Sequence, residues 1–264
     1  MWSYYGSKSK VVDFYPPPKY GKIIEPFAGS ARYSLKFFDR DVLLVDKYEV
    51  IAKIWQWLQK ASEADIMSLP TPDTGDNLDN FNFDLPEQKW LMGFLIKAGV
   101  DSPRLTVNSY RNAEYILQQK KDIASQLFKI RHWRIEFDSY ENLQNTEATW
   151  FIDPPYQFGG EYYKVSNKHL DFHSLGDWCK SRNGQVIVCE NTKADWLPFK
   201  AMREMNGTLY TTTEAIWSNF ETPYDFQQMS LFGESATNTA SSGLLVGVGE
   251  LPAEKSYSVG SALA

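Results

Sequence analysis

The chain has 264 residues and a formal net charge of −6, with 43% hydrophobic, 15% aromatic and 23% charged residues. This size suits one large domain or one domain with an insertion, and the acidic balance argues against a uniformly basic nucleic-acid-binding protein. Cys179 and Cys189 lack the spacing of a metal site, and no apolar run approaches membrane-spanning length. We therefore expect a soluble cytoplasmic protein without a disulfide framework.

Several short apolar segments are predicted to be buried strands. They are KIIEPF from Lys22, VLLVD from Val42, WRIEF from Trp133, TWFID from Thr149 and QVIVCE from Gln185. Their apolar character is continuous rather than alternating, which is typical of a sheet covered on both faces. Helical patterns such as EVIAKIWQWLQK lie between them. Strands that alternate with helices predict an α/β domain with a mainly parallel sheet.

The alternation is interrupted between residues 61 and 132. A loop rich in Pro, Gly, Asp and Asn is followed by two predicted helices, KWLMGFLIKAG, which stops near Gly99, and NAEYILQQKKDIASQLFKI. We expect residues 1–60 and 133–232 to form the α/β domain, with residues 61–132 as a partly helical insertion. From Gly233 the sequence is small and polar and predicts a flexible tail over 233–264, with a short strand at 244–248 as an alternative.

Charge is unevenly distributed within the predicted insertion. From Glu63 to Glu87 there are acidic residues but no lysine or arginine, whereas residues 104–134 carry seven basic residues against two acidic ones. A local basic surface can bind phosphate even on an acidic protein. The alternative is a solvated helix face, and the charge pattern leaves both open.

Two features near the N-terminus predict a nucleotide-like ligand. In IIEPFAGSARYSL, a turn of small residues follows the first strand, where a ligand can approach the backbone at the carboxyl edge of the sheet. The lack of a GxGxxG motif and of a Walker lysine disfavours a dinucleotide or a nucleoside triphosphate. Asp46 ends the second strand, where an acid can bind ribose hydroxyls or can serve as a helix N-cap. The two features together favour a cofactor that contains adenosine.

The motif IDPPY at residues 152–156 predicts a site for an exocyclic amine. Asp153 leaves a buried strand at the carboxyl edge, and Pro154 and Pro155 fix the backbone beyond it. The Asp153 carboxylate and the Pro154 carbonyl can accept the two hydrogen bonds of an amine while the Tyr156 ring stacks on the attached base. Such contacts would aim the nitrogen lone pair at an electrophile. A rigid Pro-Pro turn is the alternative.

Taken together, EPFAGSA, VDKYEVI and DPPY resemble the motifs of the adenine-N6 DNA methyltransferases of the Dam type. The resemblance covers roughly residues 4–60 and 133–230, and the motif order is that of the group with its recognition domain in the middle. It implies a Rossmann-like methyltransferase sheet and S-adenosylmethionine as the cofactor. It also implies double-stranded DNA as the partner, with a flipped adenine as the target, in a bacterial or phage-infected cell.

The resemblance implies which residues form the cofactor site. The opening YYGSKSKVV matches a motif in which an aromatic residue and a lysine four residues later line that site. EFDSYENL lies where the family has an acidic–aromatic pair against the cofactor adenine, but here Ser139 precedes Tyr140 and the acid, Asp138, is one place early. The residues assigned to the cofactor are Tyr4, Lys8, Phe27, Ala28, Gly29, Asp46, Ser139, Tyr140 and Asp153.

The resemblance also implies DNA contacts. The segment SPRLTVNSYRN lies in the basic stretch of the insertion, and EAIWSNF resembles a late motif near the target-base pocket. The candidate DNA-binding residues are Arg104, Asn108, Tyr110, Arg111 and Phe220. FGGEYYKVSNKH, directly after DPPY, suggests a mobile loop that closes over the flipped base, although its tyrosines could equally be ordinary packing residues.

Two further points remain open from the sequence. His169 and His173 are four residues apart, as two metal ligands on a helix would be, but no third ligand is evident, and we expect a polar helix surface and no metal. The alternatives to adenine-N6 methylation of DNA are adenine-N6 methylation of RNA, cytosine-N4 methylation of DNA, and a non-catalytic nucleic-acid-binding relative.

Overall fold

A single sheet forms the centre of the molecule. A computed structural model gives the structure of residues 1–2, 4–206, 211–222 and 224. Within these residues the strands are β1 (Lys22–Glu25), β2 (Asp41–Asp46), β3 (Arg134–Phe137), β4 (Ala148–Ile152), β5 (Gly184–Asn191), β6 (Lys200–Asn206) and β7 (Thr211–Ser218). Their order across the sheet is β3-β2-β1-β4-β5-β7-β6.

The strand directions agree with the predicted fold class. Strands β1 to β5 pair in parallel, whereas β7 lies antiparallel between β5 and β6. Parallel neighbours need crossover connections, and the helical segments predicted between the apolar runs supply them. An α/β fold with a mainly parallel, Rossmann-like sheet is thereby confirmed as the fold class.

The helices cover the sheet and build the inserted region. They are α1 (Arg32–Lys36), α2 (Glu49–Lys60), α3 (Glu63–Ser68), α4 (Pro86–Leu95), α5 (Ala113–Ala124) and α6 (Phe172–Lys180). Helix α2 buries one apolar face that includes Ile51, Ile54 and Trp55, as its amphipathic pattern predicts. None of the helices in the described ranges is both long enough and apolar enough to span a membrane.

The apolar segments predicted from the sequence correspond to β1 to β5, whereas β6 and β7 were not predicted. Helix α5 ends at Ala124 and a short 3₁₀ turn, Leu127–Ile130, continues the second predicted helix of the insertion. The predicted tail over 233–264, with its alternative strand at 244–248, lies outside the described residues. Residues 225–232 of the predicted α/β domain lie outside them as well.

The inserted region shares its core with the sheet. Phe94 of α4 lies with its ring 5.0 Å from that of Trp2 and 5.7 Å from that of Tyr4. Trp2 in turn contacts Trp55 of α2, at 5.9 Å between ring centroids. The aromatic packing therefore fixes the N-terminal segment between the insertion and α2, which places Tyr4 beside the carboxyl edge of the sheet.

The basic stretch at residues 104–134 does not form one basic surface. Lys120 is buried, and its ammonium donates hydrogen bonds to the Leu69 carbonyl and the Thr71 hydroxyl. Arg131 donates to the carbonyls of Gln59 and Ala61 at the end of α2. A count of charges along the chain includes these two cations, but Lys120 is buried, and the guanidinium of the exposed Arg131 is bonded to backbone carbonyls.

A substitution at Gly184 tests the close pairing of β4 with β5. The φ of Gly184 is +98°, and a methyl group there would lie 2.2 Å from the Ala148 carbonyl oxygen. We expect Gly184→Ala to lower the free energy of unfolding by about 2 kcal/mol more than Gly159→Ala does, because overpacking against the backbone adds to the conformational strain.

Gly159 is a matched control, since its φ is +97° and a methyl group there meets nothing within 4 Å. Urea unfolding of both variants measures the difference. Equal destabilisation by the two substitutions would contradict the close approach of β4 and β5 at this position.

Candidate functional site

A cavity opens at the carboxyl ends of β1, β2 and β4. Its volume is about 860 Å³, open solvent at its mouth included. The carboxyl edge is where ligands of open α/β sheets bind. The wall of the cavity includes every residue that the sequence assigned to the cofactor: Tyr4, Lys8, Phe27, Ala28, Gly29, Asp46, Ser139, Tyr140 and Asp153.

The turn after β1 is tightly held on the side away from the cavity. The Ala28 amide donates to the Val45 carbonyl at 2.9 Å, and the Trp55 indole donates to the Gly29 carbonyl at 2.9 Å. Gly29 and Ala31 have φ values of +44° and +47°. A left-handed alanine costs about 1–2 kcal/mol, so the packing around the turn maintains strain beside the cavity.

Asp46 connects this turn to β2. One carboxylate oxygen accepts the Gly29 amide at 2.9 Å and the other accepts the Tyr48 amide at 2.8 Å. Burial raises the pKa of Asp46 to about 6, against the opposing effect of these two bonds. The N-cap position of α2 is Tyr48, so Asp46 does not cap the helix itself. Each oxygen keeps a lone pair with which it can accept a ligand hydroxyl.

Two aromatic rings form the part of the wall that suits a purine. The rings of Phe27 and Tyr140 lie 5.4 Å apart at an angle of 31°, and Trp178 of α6 packs edge-on against Tyr140 at 5.1 Å. Asp138, the acid one place early in the motif, accepts the Ser139 amide at 2.7 Å and the Asn142 side chain at 2.7 Å. Asp138 therefore shapes the turn that presents Tyr140, and the structure does not place it on the cavity wall.

A buried ion pair lies at the end of β4. The Lys8 ammonium is 2.8 Å from the Asp153 carboxylate, 3.9 Å from the Glu214 carboxylate and 4.6 Å from the centroid of the Tyr156 ring. Burial acts to lower the pKa of Lys8, but Asp153 and Glu214 outweigh it and raise that pKa well above its usual value. Burial raises the pKa of Asp153 to about 6 even though Lys8 opposes the shift.

Glu214 of β7 joins this ion pair to two tyrosines. Its carboxylate accepts the hydroxyl of Tyr15 at 2.6 Å and that of Tyr156 at 2.5 Å. The sequence analysis did not identify Glu214 or Tyr15. An acid inside the otherwise uncharged run TTTEAIWS was the available signal.

The residues of the DPPY motif do not all reach the cavity. Among the described residues, the wall includes Asp153 and Pro155, whereas Pro154 is buried and Tyr156 is half-buried beside the wall. The Tyr156 hydroxyl is held by Glu214, and the Lys8 ammonium covers a face of its ring. The motif therefore brings its carboxylate to the cavity, while its aromatic ring belongs to the hydrogen-bonded group around Glu214.

The prediction that Phe220 lies near the target-base pocket is wrong. Strand β7 runs antiparallel to β5, with Glu214 opposite Asn191 and Ser218 opposite Ile187. The chain beyond Ser218 therefore continues toward the amino edge of the sheet, away from the cavity. Phe220 lies there beneath the Lys19 ammonium, 4.4 Å from its ring centroid. The residue of this motif that does reach the site is Glu214.

The loop after DPPY covers one side of the cavity. The Tyr163 ring lies 4.9 Å from that of Tyr5 and 6.0 Å from that of Tyr4, and its hydroxyl lies directly over Gly6. Asn167 donates to the carbonyl of Tyr156 at 3.2 Å, which ties the loop back to the motif. The sequence proposed closure by this loop or ordinary packing, and the structure shows Tyr163 packed on the N-terminal segment.

The two histidines do not share a helix, contrary to the sequence prediction. His169 ends a 3₁₀ turn, Asn167–His169, and His173 follows the N-cap of α6. His169 lies on the cavity wall, a position that the sequence analysis missed. In the described part of the chain, no cluster of three or more His, Cys, Asp or Glu side chains could hold a metal ion.

The remaining DNA candidates lie in the loop between α4 and α5. Tyr110 is 89% exposed, and Arg104 is exposed and paired with Asp101 at 2.9 Å. Asn108 accepts the Tyr110 amide at 3.1 Å and so shapes the loop. The Arg111 guanidinium lies 3.8 Å from the ring centroid of Tyr115. The structure thus presents an exposed aromatic ring and an exposed cation on one loop.

Comparison with known proteins gives a likeness of fold. No family model matches the chain, and no curated protein matches it. Matching solved structures include the rRNA methyltransferase aviRa of Streptomyces viridochromogenes, at 11% identity over 75% of this chain and 76% of that chain, with a TM-score of 0.37. They also include a proposed methyltransferase, yhhF of Escherichia coli, at 10% identity over 79% of this chain and 78% of that chain, with a TM-score of 0.33.

A third match is a proposed methylase, HI0767 of Haemophilus influenzae, at 10% identity over 76% of this chain and 87% of that chain, with a TM-score of 0.34. Since all three TM-scores are below 0.5, these matches carry no argument about either the fold or the reaction. The functional argument depends on the residues of this chain.

A substitution at Gly6 tests whether the Tyr163 ring, which covers one side of the cavity, contributes to ligand binding. The φ of Gly6 is +72°, and a methyl group there would lie 1.8 Å from the Tyr163 hydroxyl, so Gly6→Ala must displace that ring. We expect the variant to bind S-adenosylhomocysteine about tenfold more weakly, a change of about 1.4 kcal/mol. Isothermal titration calorimetry measures the affinity.

Gly75→Ala is the control for Gly6→Ala, since Gly75 has a φ of +88° and open space around it. This variant carries similar backbone strain without a displaced ring, and we expect it to keep the wild-type affinity. The same loss of affinity in both variants would rule out Tyr163 as the cause.

Proposed function

We propose that this chain is an S-adenosylmethionine-dependent methyltransferase that methylates the N6 amino group of adenine in DNA. The observation that carries the proposal is that residues from well-separated motifs line one cavity. Asp46, Phe27 and Tyr140 come from three different segments, and Asp153 comes from a fourth. A carboxylate suited to an amine thus borders the same space as the groups suited to an adenosine.

The cavity residues fit the cofactor that the motifs imply. Asp46 has lone pairs left for the two ribose hydroxyls, and the tilted rings of Phe27 and Tyr140 offer apolar faces to the adenine. The bound cofactor supplies an electrophilic methyl group on a sulfonium sulfur. The protein contributes orientation, because the strained turn at Gly29 and Ala31 is held rigidly from behind.

Asp153 would hold and orient the target amine. Its carboxylate accepts one N–H of the amine, the Pro154 carbonyl accepts the other, and the Tyr156 ring stacks on the base. The Lys8 ammonium now lies at the carboxylate and over that ring, so the proposal requires the entering base to displace it from the ring face. With a raised pKa, the Asp153 carboxylate is also a base able to take up the proton that the nitrogen would release after it has gained the methyl group and a positive charge.

Duplex DNA is proposed as the polymer because of the Dam-type motif order and the exposed loop between α4 and α5. Tyr110 offers a ring for stacking on a base. Arg104 is exposed, and the proposal requires it to exchange its partner Asp101 for a phosphate. RNA adenine and cytosine N4 in DNA are the alternative targets, since each presents an exocyclic amine on a flat ring.

Asp153→Ala tests the catalytic assignment. We expect methyl transfer to fall at least 100-fold, because the acceptor that orients the amine is lost, while affinity for S-adenosylhomocysteine stays largely intact. The assay follows tritium transfer from labelled S-adenosylmethionine to duplex DNA, to single-stranded RNA, and to oligonucleotides that carry either adenine or cytosine as the possible target. Asp177→Ala, at an exposed acid of α6, is the control.

The outcomes of this assay distinguish the proposed function from its alternatives. Full activity of Asp153→Ala would exclude the role given to that carboxylate. Transfer to RNA or to cytosine alone would exclude adenine in DNA as the substrate. A wild-type chain that transfers no methyl group to any of these polymers would leave the non-catalytic relative as the better reading.

The pH dependence of the rate follows from the same carboxylate. Asp153 must be deprotonated to accept the amine hydrogen, and its pKa is about 6, so the turnover rate should rise with pH through about 6. Lys8 lowers that pKa, so Lys8→Met should move the acidic limb of the profile to higher pH. Rates are measured at saturating cofactor, because the pKa of Asp46 also lies at about 6.

Lys10→Met, at an exposed lysine of the same segment, is the control and should keep the wild-type profile. An acidic limb that stays in place in Lys8→Met would show that another group governs the profile.

A further inference from the structure

One cation on the cavity wall has no acidic partner. Arg32 lies at the start of α1 and borders the cavity. In the part of the chain that the structure describes, no carboxylate lies within 4 Å of its guanidinium. The group donates to the Ser7 hydroxyl at 3.2 Å and to the Trp2 carbonyl at 2.7 Å, both of which are neutral acceptors.

The other strongly basic side chains of the described wall differ from Arg32 in this respect. The charge of Lys8 is matched by Asp153 at 2.8 Å and by Glu214 at 3.9 Å. Lys47, which is half exposed, lies 4.0 Å from Glu141. Arg32 is therefore the wall cation whose charge is available to a ligand anion.

The surroundings of Arg32 suit a carboxylate. Its Nε and Nη2 atoms fix the guanidinium plane through Ser7 and Trp2, which leaves further N–H groups for a ligand. The Ser30 hydroxyl donates to the Ser7 hydroxyl at 3.0 Å, so two hydroxyl groups stand beside the guanidinium on the same wall. Burial lowers the pKa of Arg32, so its charge is poorly solvated there and gains from an anion.

We infer that Arg32, with the hydroxyls of Ser7 and Ser30 beside it, binds the α-carboxylate at the amino-acid end of S-adenosylmethionine. The inference rests on the proposed function and assigns a subsite within the same cavity. The aromatic pair Phe27–Tyr140 and Asp46 take the adenosine, and Asp153 takes the amine. The ligand also carries a sulfonium, an α-ammonium and an α-carboxylate. The α-carboxylate is the anion among these three groups, and Arg32 is the unmatched cation that complements it.

This assignment gives the two cations different roles, whereas the motif resemblance assigns Lys8 to the cofactor and does not include Arg32. Lys8 belongs to Asp153, where it sets the charge of the amine site, and Arg32 belongs to the cofactor. Arginine suits the second role because its guanidinium can bond to Ser7 and Trp2 and still keep N–H groups for a carboxylate, whereas an ammonium acts as a point charge.

The experiment compares two ligands that differ at the amino-acid end. S-adenosylhomocysteine carries the α-carboxylate, and 5′-methylthioadenosine keeps the adenosine and the sulfur but lacks that end. We expect Arg32→Gln to weaken S-adenosylhomocysteine about 10- to 100-fold, the value of a hydrogen-bonded charged pair, while 5′-methylthioadenosine binds as to wild type. Arg32→Lys should recover part of the loss. Lys47→Gln, a cation on the same wall, is the matched control and should change neither affinity by more than about twofold.

Binding of 5′-methylthioadenosine also reports whether the cavity is intact in each variant. Equal weakening of both ligands by Arg32→Gln would overturn the inference, because Arg32 would then act through the shape of the cavity. Unchanged binding of S-adenosylhomocysteine would overturn it as well, and in both cases the proposed function would stand. A wild-type chain that binds neither ligand would overturn the proposed function together with this subsite.

Discussion

The site is organised around the buried contact between Lys8 and Asp153. Taking two charges out of water is costly, and the cost is recovered only when the pair is close and further polar groups complete its surroundings. Here the pair is 2.8 Å apart, and Glu214 adds a second acid whose own hydrogen bonds come from Tyr15 and Tyr156. The N-terminal segment, the end of β4 and strand β7 are thereby tied to one another. Loss of one partner would leave a buried charge, so these three elements depend on the others being in place.

Much of the fold was predictable from the sequence because parallel strands covered on both faces are continuous apolar runs. VLLV and TWFI, for example, are apolar at nearly every position and lie in β2 and β4. Strand β6 has no such run, because it lies at the edge of the sheet and residues such as Arg203 and Glu204 are exposed. A pattern search for buried strands could not have identified it.

The wall of the cavity was predictable for a similar reason. Asp46 and Asp153 each stand at or just after the end of a strand, and the ends of parallel strands meet at one edge of the sheet. The errors arose where a strand runs antiparallel to its neighbour or where a charged side chain is buried, because the order of residues in the chain shows neither. Phe220 was misplaced because β7 is reversed, and Lys120 was counted as surface charge although it is buried. Glu214 was missed because its partners are distant in the chain, with a sequence separation of 199 between it and Tyr15.

That separation has a consequence for how the molecule assembles. A nascent chain emerges from its N-terminus, and contacts between distant segments form only after the intervening chain has been made. Tyr15 and Lys8 are synthesised early, but the carboxylate that both of them face belongs to β7. The N-terminal segment therefore cannot adopt its final hydrogen bonding until β7 has emerged and inserted between β5 and β6. The hydrogen-bonded group around Glu214 is consequently completed late. A translation product that stops before β7 would have the residues of the cavity wall but would lack the carboxylate that Lys8, Tyr15 and Tyr156 share.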